Sequence, residues 1–299
     1  MINHSVSRWC FGSTPLDSLC EKCHQLGISA LDLLTLDEIP VVQNLGIECS
    51  ITAAHPDADG IGDIEKGFNN PAYHPALHAI YRKLIPAAAN LGVQQVICFS
   101  GNREGVSDDL GMAHCAAGLA PLIPLAGQHG VTLVMELLNS KVDHPDYQCD
   151  HTAWGVALCQ MMDSAHFKLL YDIYHMQIME GDVIRTIREN HRYISHYHTA
   201  GVPGRHEFDE RQELNYPAIT RAIAATGFDG YIGQEYVPTT DDPFVFLPRA
   251  LELCSGYPPP RHRYGPGGDS LWPHHQTPCL KNYDEHGRMF HSSCHHKVR

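Results

Sequence analysis

The sequence is short of positive charge. Its 21 Lys and Arg stand against 34 Asp and Glu, and the formal charge of −13 disfavours nucleic-acid backbones and anionic membranes as partners. It has no run of about 18 apolar residues, so no segment reads as a transmembrane helix. The opening Met1-Ile2-Asn3-His4-Ser5 has no basic stretch leading into an apolar core, which speaks against a secretory leader and for a cytoplasmic protein. No Gly-rich phosphate turn follows the first apolar run, as a dinucleotide-binding sheet would require. The eleven cysteines are scattered, and Cys20-x-x-Cys23 has no second pair nearby to complete a zinc site. Such thiols suit the interior of a protein in a reducing compartment. What these absences leave is a soluble chain whose partner is a small molecule, and a homo-oligomer is compatible with all of them.

What is present is a series of short apolar runs, four of which close on a potential metal ligand. They are Val131-Thr132-Leu133-Val134-Met135-Glu136, Phe167-Lys168-Leu169-Leu170-Tyr171-Asp172, Tyr193-Ile194-Ser195-His196-Tyr197-His198 and Gly230-Tyr231-Ile232-Gly233-Gln234-Glu235. Each is short, rich in β-branched and aromatic residues, and followed by helical periodicity, the pattern of a buried parallel strand. Burying one carboxylate costs several kcal/mol, roughly, unless it is compensated. An ion pair with Lys or Arg could explain a single case. Three carboxylates and a histidine at successive strand ends share one explanation, a divalent cation. Oxygen ligands with one imidazole and no thiolate suit Mg²⁺ or Mn²⁺ better than structural zinc.

Along the chain, strands are predicted over 2–9, 28–34, 47–52, 93–100, 131–136, 167–172, 193–198 and 230–235. Helices are predicted over 16–26, 37–45, 71–90, 107–129, 152–162, 182–190, 216–226 and 241–253, with Ser107 capping the fourth. Eight alternating units in 1–254 imply an α/β fold, a (β/α)8 TIM barrel, whose C-terminal strand ends meet at one mouth. After Cys254 the composition changes to Pro258-Pro259-Pro260, Gly265-Pro266-Gly267-Gly268 and seven histidines, with a net charge of +3 that leaves −16 on the first 254 residues. This stretch, 255–299, is expected to be disordered.

A cation at the mouth would acidify the carbon-bound proton of a substrate that chelates it through a carbonyl and a neighbouring hydroxyl. Glu136 and Glu235 would then flank the substrate, one removing that proton and the other returning a proton to the adjacent carbon. His175, three residues after Asp172, is placed to approach a substrate oxygen. Arg205, in Gly204-Arg205-His206-Glu207, is suited to a substrate carboxylate. Lys66 and Arg103, in the loops after the third and fourth strands, are candidates for the same work. His196 is expected to point away from the ligand His198.

At these residues the sequence resembles the hydroxypyruvate isomerase family, part of the xylose isomerase-like group of TIM barrels. The resembling stretches are Met135-Glu136-Leu137-Leu138-Asn139, Tyr171-Asp172-Ile173-Tyr174-His175-Met176-Gln177, His196-Tyr197-His198 with Pro203-Gly204-Arg205-His206-Glu207, Glu213-Leu214-Asn215-Tyr216 and Gly233-Gln234-Glu235-Tyr236-Val237-Pro238. The resemblance implies a divalent metal on Glu136, Asp172, His198 and Glu235, the two glutamates as acid/base pair, and interconversion of hydroxypyruvate and tartronate semialdehyde. Where this chain has His198 those isomerases commonly offer Gln, and His is more like the sugar 3-epimerases of the group. A ketose 3-epimerase or a 2-oxo-tetronate isomerase would use the same site, and a non-catalytic sugar-acid binder is a further alternative. A DNA-repair endonuclease of the same group would need a multi-zinc cluster and a basic surface, against which the charge of −16 argues.

Overall fold

The structure is a computed structural model. It describes residues 2–12 and 14–256, and further on only the backbone of two short strands, Asn282–Tyr283 and Met289–Phe290, paired antiparallel. The expected disorder of 255–299 falls almost wholly outside the described residues.

Eight strands form a closed barrel: β1 (Asn3–Ser7), β2 (Ala30–Asp32), β3 (Glu48–Ala53), β4 (Gln95–Cys98), β5 (Thr132–Glu136), β6 (Phe167–Asp172), β7 (Ile194–Thr199) and β8 (Tyr231–Gln234). Each pairs in parallel with the next, and β8 returns to β1. Parallel strands covered on both faces need apolar side chains on both, as β4, β5 and β6 largely have, whereas β1 and β7 carry several polar residues. Inside the barrel, Ile51, Ile97, Val134 and Leu170 make a small buried cluster. Val134 and Leu170 lie two residues before Glu136 and Asp172 and so share their inward face. The larger core lies between the barrel and its helices.

The helices are α1 (Leu16–Leu26), α2 (Glu38–Asn44), α3 (His74–Asn90), α4 (Asp108–Leu119), α5 (Ile123–His129), α6 (Thr152–Met162), α7 (Ile173–Met179), α8 (Val183–Asn190), α9 (Tyr216–Ala225) and α10 (Leu247–Leu253). Three expectations are corrected. The single helix over 107–129 is two, α4 and α5, joined by a 3₁₀ turn at Ala120–Leu122, because Pro121 and Pro124 lack the N–H that a continuous helix requires. By length and composition 108–129 would suffice to cross a membrane, yet its halves pack on α6 and α3 of the barrel layer. The last helix starts at Leu247, after turns over 241–246. Helix α7 was not expected at all: Asp172 ends β6 and also caps α7, its Oδ1 accepting from the backbone N–H of His175 at 3.0 Å.

Candidate metal centre at the barrel mouth

Register decides which side chains meet. Glu136 aligns with Leu170, two residues before Asp172; Asp172 aligns with His198; and His198 aligns with Gly233, two residues before Glu235. Steps of zero or two keep all four on the inward face. Their ligand atoms lie within 4.8 Å of one another, and the residues are only 6%, 1%, 0% and 2% exposed in chain order.

The neighbours of these groups set their charges. Glu235 Oε1 accepts from Trp9 Nε1 at 2.9 Å and from Ser7 Oγ at 3.1 Å, while Oε2 is 2.7 Å from Arg205 Nη2. Burial drives its pKa upward, but the charges of His198 and Arg205 and the hydrogen bonds outweigh burial and hold it well below the usual carboxylate range. Asp172 goes the other way, pushed up to about 7 by burial and by the charge of Glu235 against the pull of Arg205 and His198. Burial lowers the affinity of His198 for its proton, and the surrounding Glu235, Asp32 and Glu136 reverse this, so the imidazole titrates well above its ordinary value. Its Nδ1 is 3.1 Å from Glu235 Oε2 and 3.6 Å from Glu136 Oε1, yet has no hydrogen-bond partner among the described residues. A buried ring nitrogen ringed by carboxylate oxygens and bonded to none of them, with three carboxylates in reach, fits a divalent cation.

His175 and Arg205 belong to the same mouth. The backbone N–H of Asn139 donates to His175 Nδ1 at 3.2 Å, which assigns the proton to Nε2. That nitrogen is buried without a hydrogen-bond partner among the described residues, 3.8 Å from Asp172 Oδ2. Burial, followed by the charges of Arg205 and His144, holds the ring neutral. Arg205 lies between the rings of Trp9 and Tyr174, with its Cζ 5.0 and 5.5 Å from their centroids. Its backbone is in the left-handed region at φ 60°, and its Nε is buried and unpartnered among the described residues.

The other two candidates are elsewhere. Arg103 is committed to the loop between β5 and α6, through Asp150 at 2.9 Å and the carbonyls of Tyr147 and Gln148, and to Asp108. Lys66 donates to the carbonyl of Asp59 in its own loop. His196 corrects an expectation. Residues i and i+2 of a strand share a face, so it points inward beside His198, the two rings 5.1 Å apart. Three groups were missed: Ser7, which ends β1, and Trp9, in the turn after it, both on Glu235, and Asp32 at the end of β2, which has the same acid-after-apolar-run signature in only three residues.

Residues 40–250 match the family model described as xylose isomerase-like TIM barrel. The chain is 34% identical over 185 residues to the 2-oxo-tetronate isomerase of Cupriavidus necator, covering 59% of this chain and 69% of that one. It is 28% identical over 184 residues to the hydroxypyruvate isomerase of Escherichia coli, covering 60% and 70%. Among solved structures it superposes on a family 2 AP endonuclease from Brucella melitensis with a TM-score of 0.74 at 22% identity, over 83% of this chain and 99% of that one, a likeness of fold.

Proposed function

The chain belongs to the xylose isomerase-like TIM barrel family, and from that premise we propose that it is a metal-dependent intramolecular isomerase of a short hydroxy-oxo acid, interconverting hydroxypyruvate and tartronate semialdehyde. The observation that carries this reading is the set of four buried ligand side chains, from consecutive strands of one barrel, within 4.8 Å of one another. Glu136, Asp172, His198 and Glu235 would hold Mg²⁺ or Mn²⁺, which when bound polarises the substrate carbonyl and acidifies the adjoining C–H.

The side chains have distinct tasks. Glu136, whose carboxylate has His198 Nδ1 at 3.6 Å, would take the proton from the hydroxymethyl carbon, leaving an enediolate. Glu235, held below the usual carboxylate range, rests ionised; it would pass a proton drawn from solvent to the neighbouring carbon while Glu136 gives up the abstracted proton to solvent, so both carboxylates end the turnover as they began. The hydroxyl proton passes to the former carbonyl oxygen, so carbonyl and alcohol exchange places with no net gain or loss of atoms. His175 Nε2–H is a neutral donor for a substrate oxygen, and the unpartnered edge of Arg205 takes the substrate carboxylate.

The test is incubation of the Mn²⁺-loaded protein with hydroxypyruvate in D₂O. Deuterium at the hydroxymethyl carbon and formation of tartronate semialdehyde are expected; absence of both overturns the assignment. Two other substrates share the mechanism. The 34% identity to the Cupriavidus protein favours 2-oxo-tetronate, and His198 favours a ketose. Faster exchange into 2-oxo-tetronate, or at C3 of a ketohexose, selects one of these. No exchange with any of them selects a binding protein.

A further inference from the structure

Asp32 is completely buried, and the reaction above does not use it. Its Oδ2 is 3.0 Å from Nε2 of His196 and 3.4 Å from Nε2 of His198, and Ser50 Oγ donates to its Oδ1. β2 and β7 are not neighbours in the barrel, so this contact crosses the interior. Gly233 makes room for it. A Cβ at that position would collide with Asp32 Oδ2 and stand 2.8 Å from His198 Cδ2. A carboxylate sunk this deep is costly without compensation, and here its partners are two imidazoles and a hydroxyl.

The two nitrogens of His198 have separate surroundings: Nδ1 faces Glu136 and Glu235, and Nε2 faces Asp32, with neither nitrogen completing a hydrogen bond among the described residues. An imidazole that ligates a cation through one nitrogen donates from the other, and the acceptor of that proton fixes ring orientation and tautomer. We propose that Asp32 is a positioning residue that accepts the Nε2–H of His198 and so presents the Nδ1 lone pair to the cation, while His196 and Ser50 keep the carboxylate in place. The inference rests on the metal-site reading above. Asp32, His196 and His198 also lie within 4.8 Å of one another, but a second cation there would require His198 to ligate through both nitrogens.

The test is a Mn²⁺ titration of the full chain, with free Mn²⁺ read by electron paramagnetic resonance, for the parent and for Asp32→Asn. One ion per parent chain is expected, with binding about 10- to 100-fold weaker in the variant and unchanged circular dichroism. ¹⁵N-histidine spectra of the Mg²⁺-loaded parent provide a readout that needs no variant: His198 is expected to carry its proton on Nε2. Affinity in the variant within twofold of the parent overturns the proposal, as does a proton found on Nδ1. Two ions per parent chain, one of them lost in the variant, overturn it in favour of a second cation site. A parent that binds no divalent ion overturns both this proposal and the metal-site reading.

Discussion

Glu136 and Glu235 close equivalent strands, but only Glu235 is tied down, by Trp9, Ser7 and Arg205. Substituting each by Gln separates chemistry from structure. Glu136→Gln is expected to slow deuterium exchange by about 10²- to 10⁴-fold with little change in melting temperature. Glu235→Gln should slow exchange comparably and also lose about 1–3 kcal/mol of stability, because Arg205 loses its nearer charge partner and keeps only Asp172, at 3.9 Å; chemical denaturation of the two variants side by side checks this. Arg205→Lys keeps the charge but loses the planar fork between Trp9 and Tyr174. An increase in KM of at least about tenfold, the equivalent of about 1.4 kcal/mol, is expected in initial-rate assays with hydroxypyruvate. The residues that structure brings to the mouth were legible in sequence where each closed a full apolar run, as Glu136, Asp172, His198 and Glu235 do. Asp32 was not, because β2 has only three residues, and Trp9 was not, because the chain turns at Arg8 where a strand had been expected to continue.

Among the elements, β8 bears the tightest constraint. Its four residues must pair with β7 and β1 while leaving space for Asp32 and His198, and Gly233 supplies it. Gly233→Ala forces a methyl into a fully packed interior, an overpacking worth about 1–3 kcal/mol. For a domain of this size that corresponds to a fall in melting temperature of roughly 2–12 °C, and a calorimetric scan reads it. A melting temperature equal to the parent's would show that the carboxylate and ring can move aside. The alternation of strands and helices was readable where the buried strands are largely apolar runs, as β4, β5 and β6 are, and the helices between them are not. Ends and breaks were less so. Pro121 and Pro124 divide a stretch that periodicity alone joins, and α7 was hidden because Asp172 both ends a strand and caps the helix that follows without a loop.

At the scale of the whole molecule, closure puts the four candidate ligands on β5, β6 and β7 and just after β8, half the circumference of the barrel, so a cation bound there would tie four strands together. The protonation of the site without a cation sets how this depends on pH. Asp172 is pushed up to about 7 by burial and by Glu235. Between its unfolded value of about 3.9 and that value, the folded state holds the extra proton, so the contribution to stability is present at low pH and lost as pH rises through 7. His198 acts in the same direction: its raised pKa stabilises the fold fully below about 6.5, and this is lost as pH rises through the folded value. Glu235, with a depressed pKa, contributes stability above about 4.3 that is lost only in more acidic solution, outside the range between pH 6 and 8. A cation takes the deprotonated ligands and therefore competes with those protons. At fixed Mn²⁺ the increment in melting temperature over the chelator-treated protein is expected to grow from pH 6 to pH 8, and comparing the same pH with and without Mn²⁺ cancels groups that do not touch the site. At a concentration of about 100 Kd the stabilisation is about 2.7 kcal/mol, or roughly 5–11 °C for a domain of this size. An increment that stays level or shrinks between pH 6 and 8 would remove Asp172 and His198 from the ligand set, whereas its loss in Asp172→Asn would hold Asp172 there.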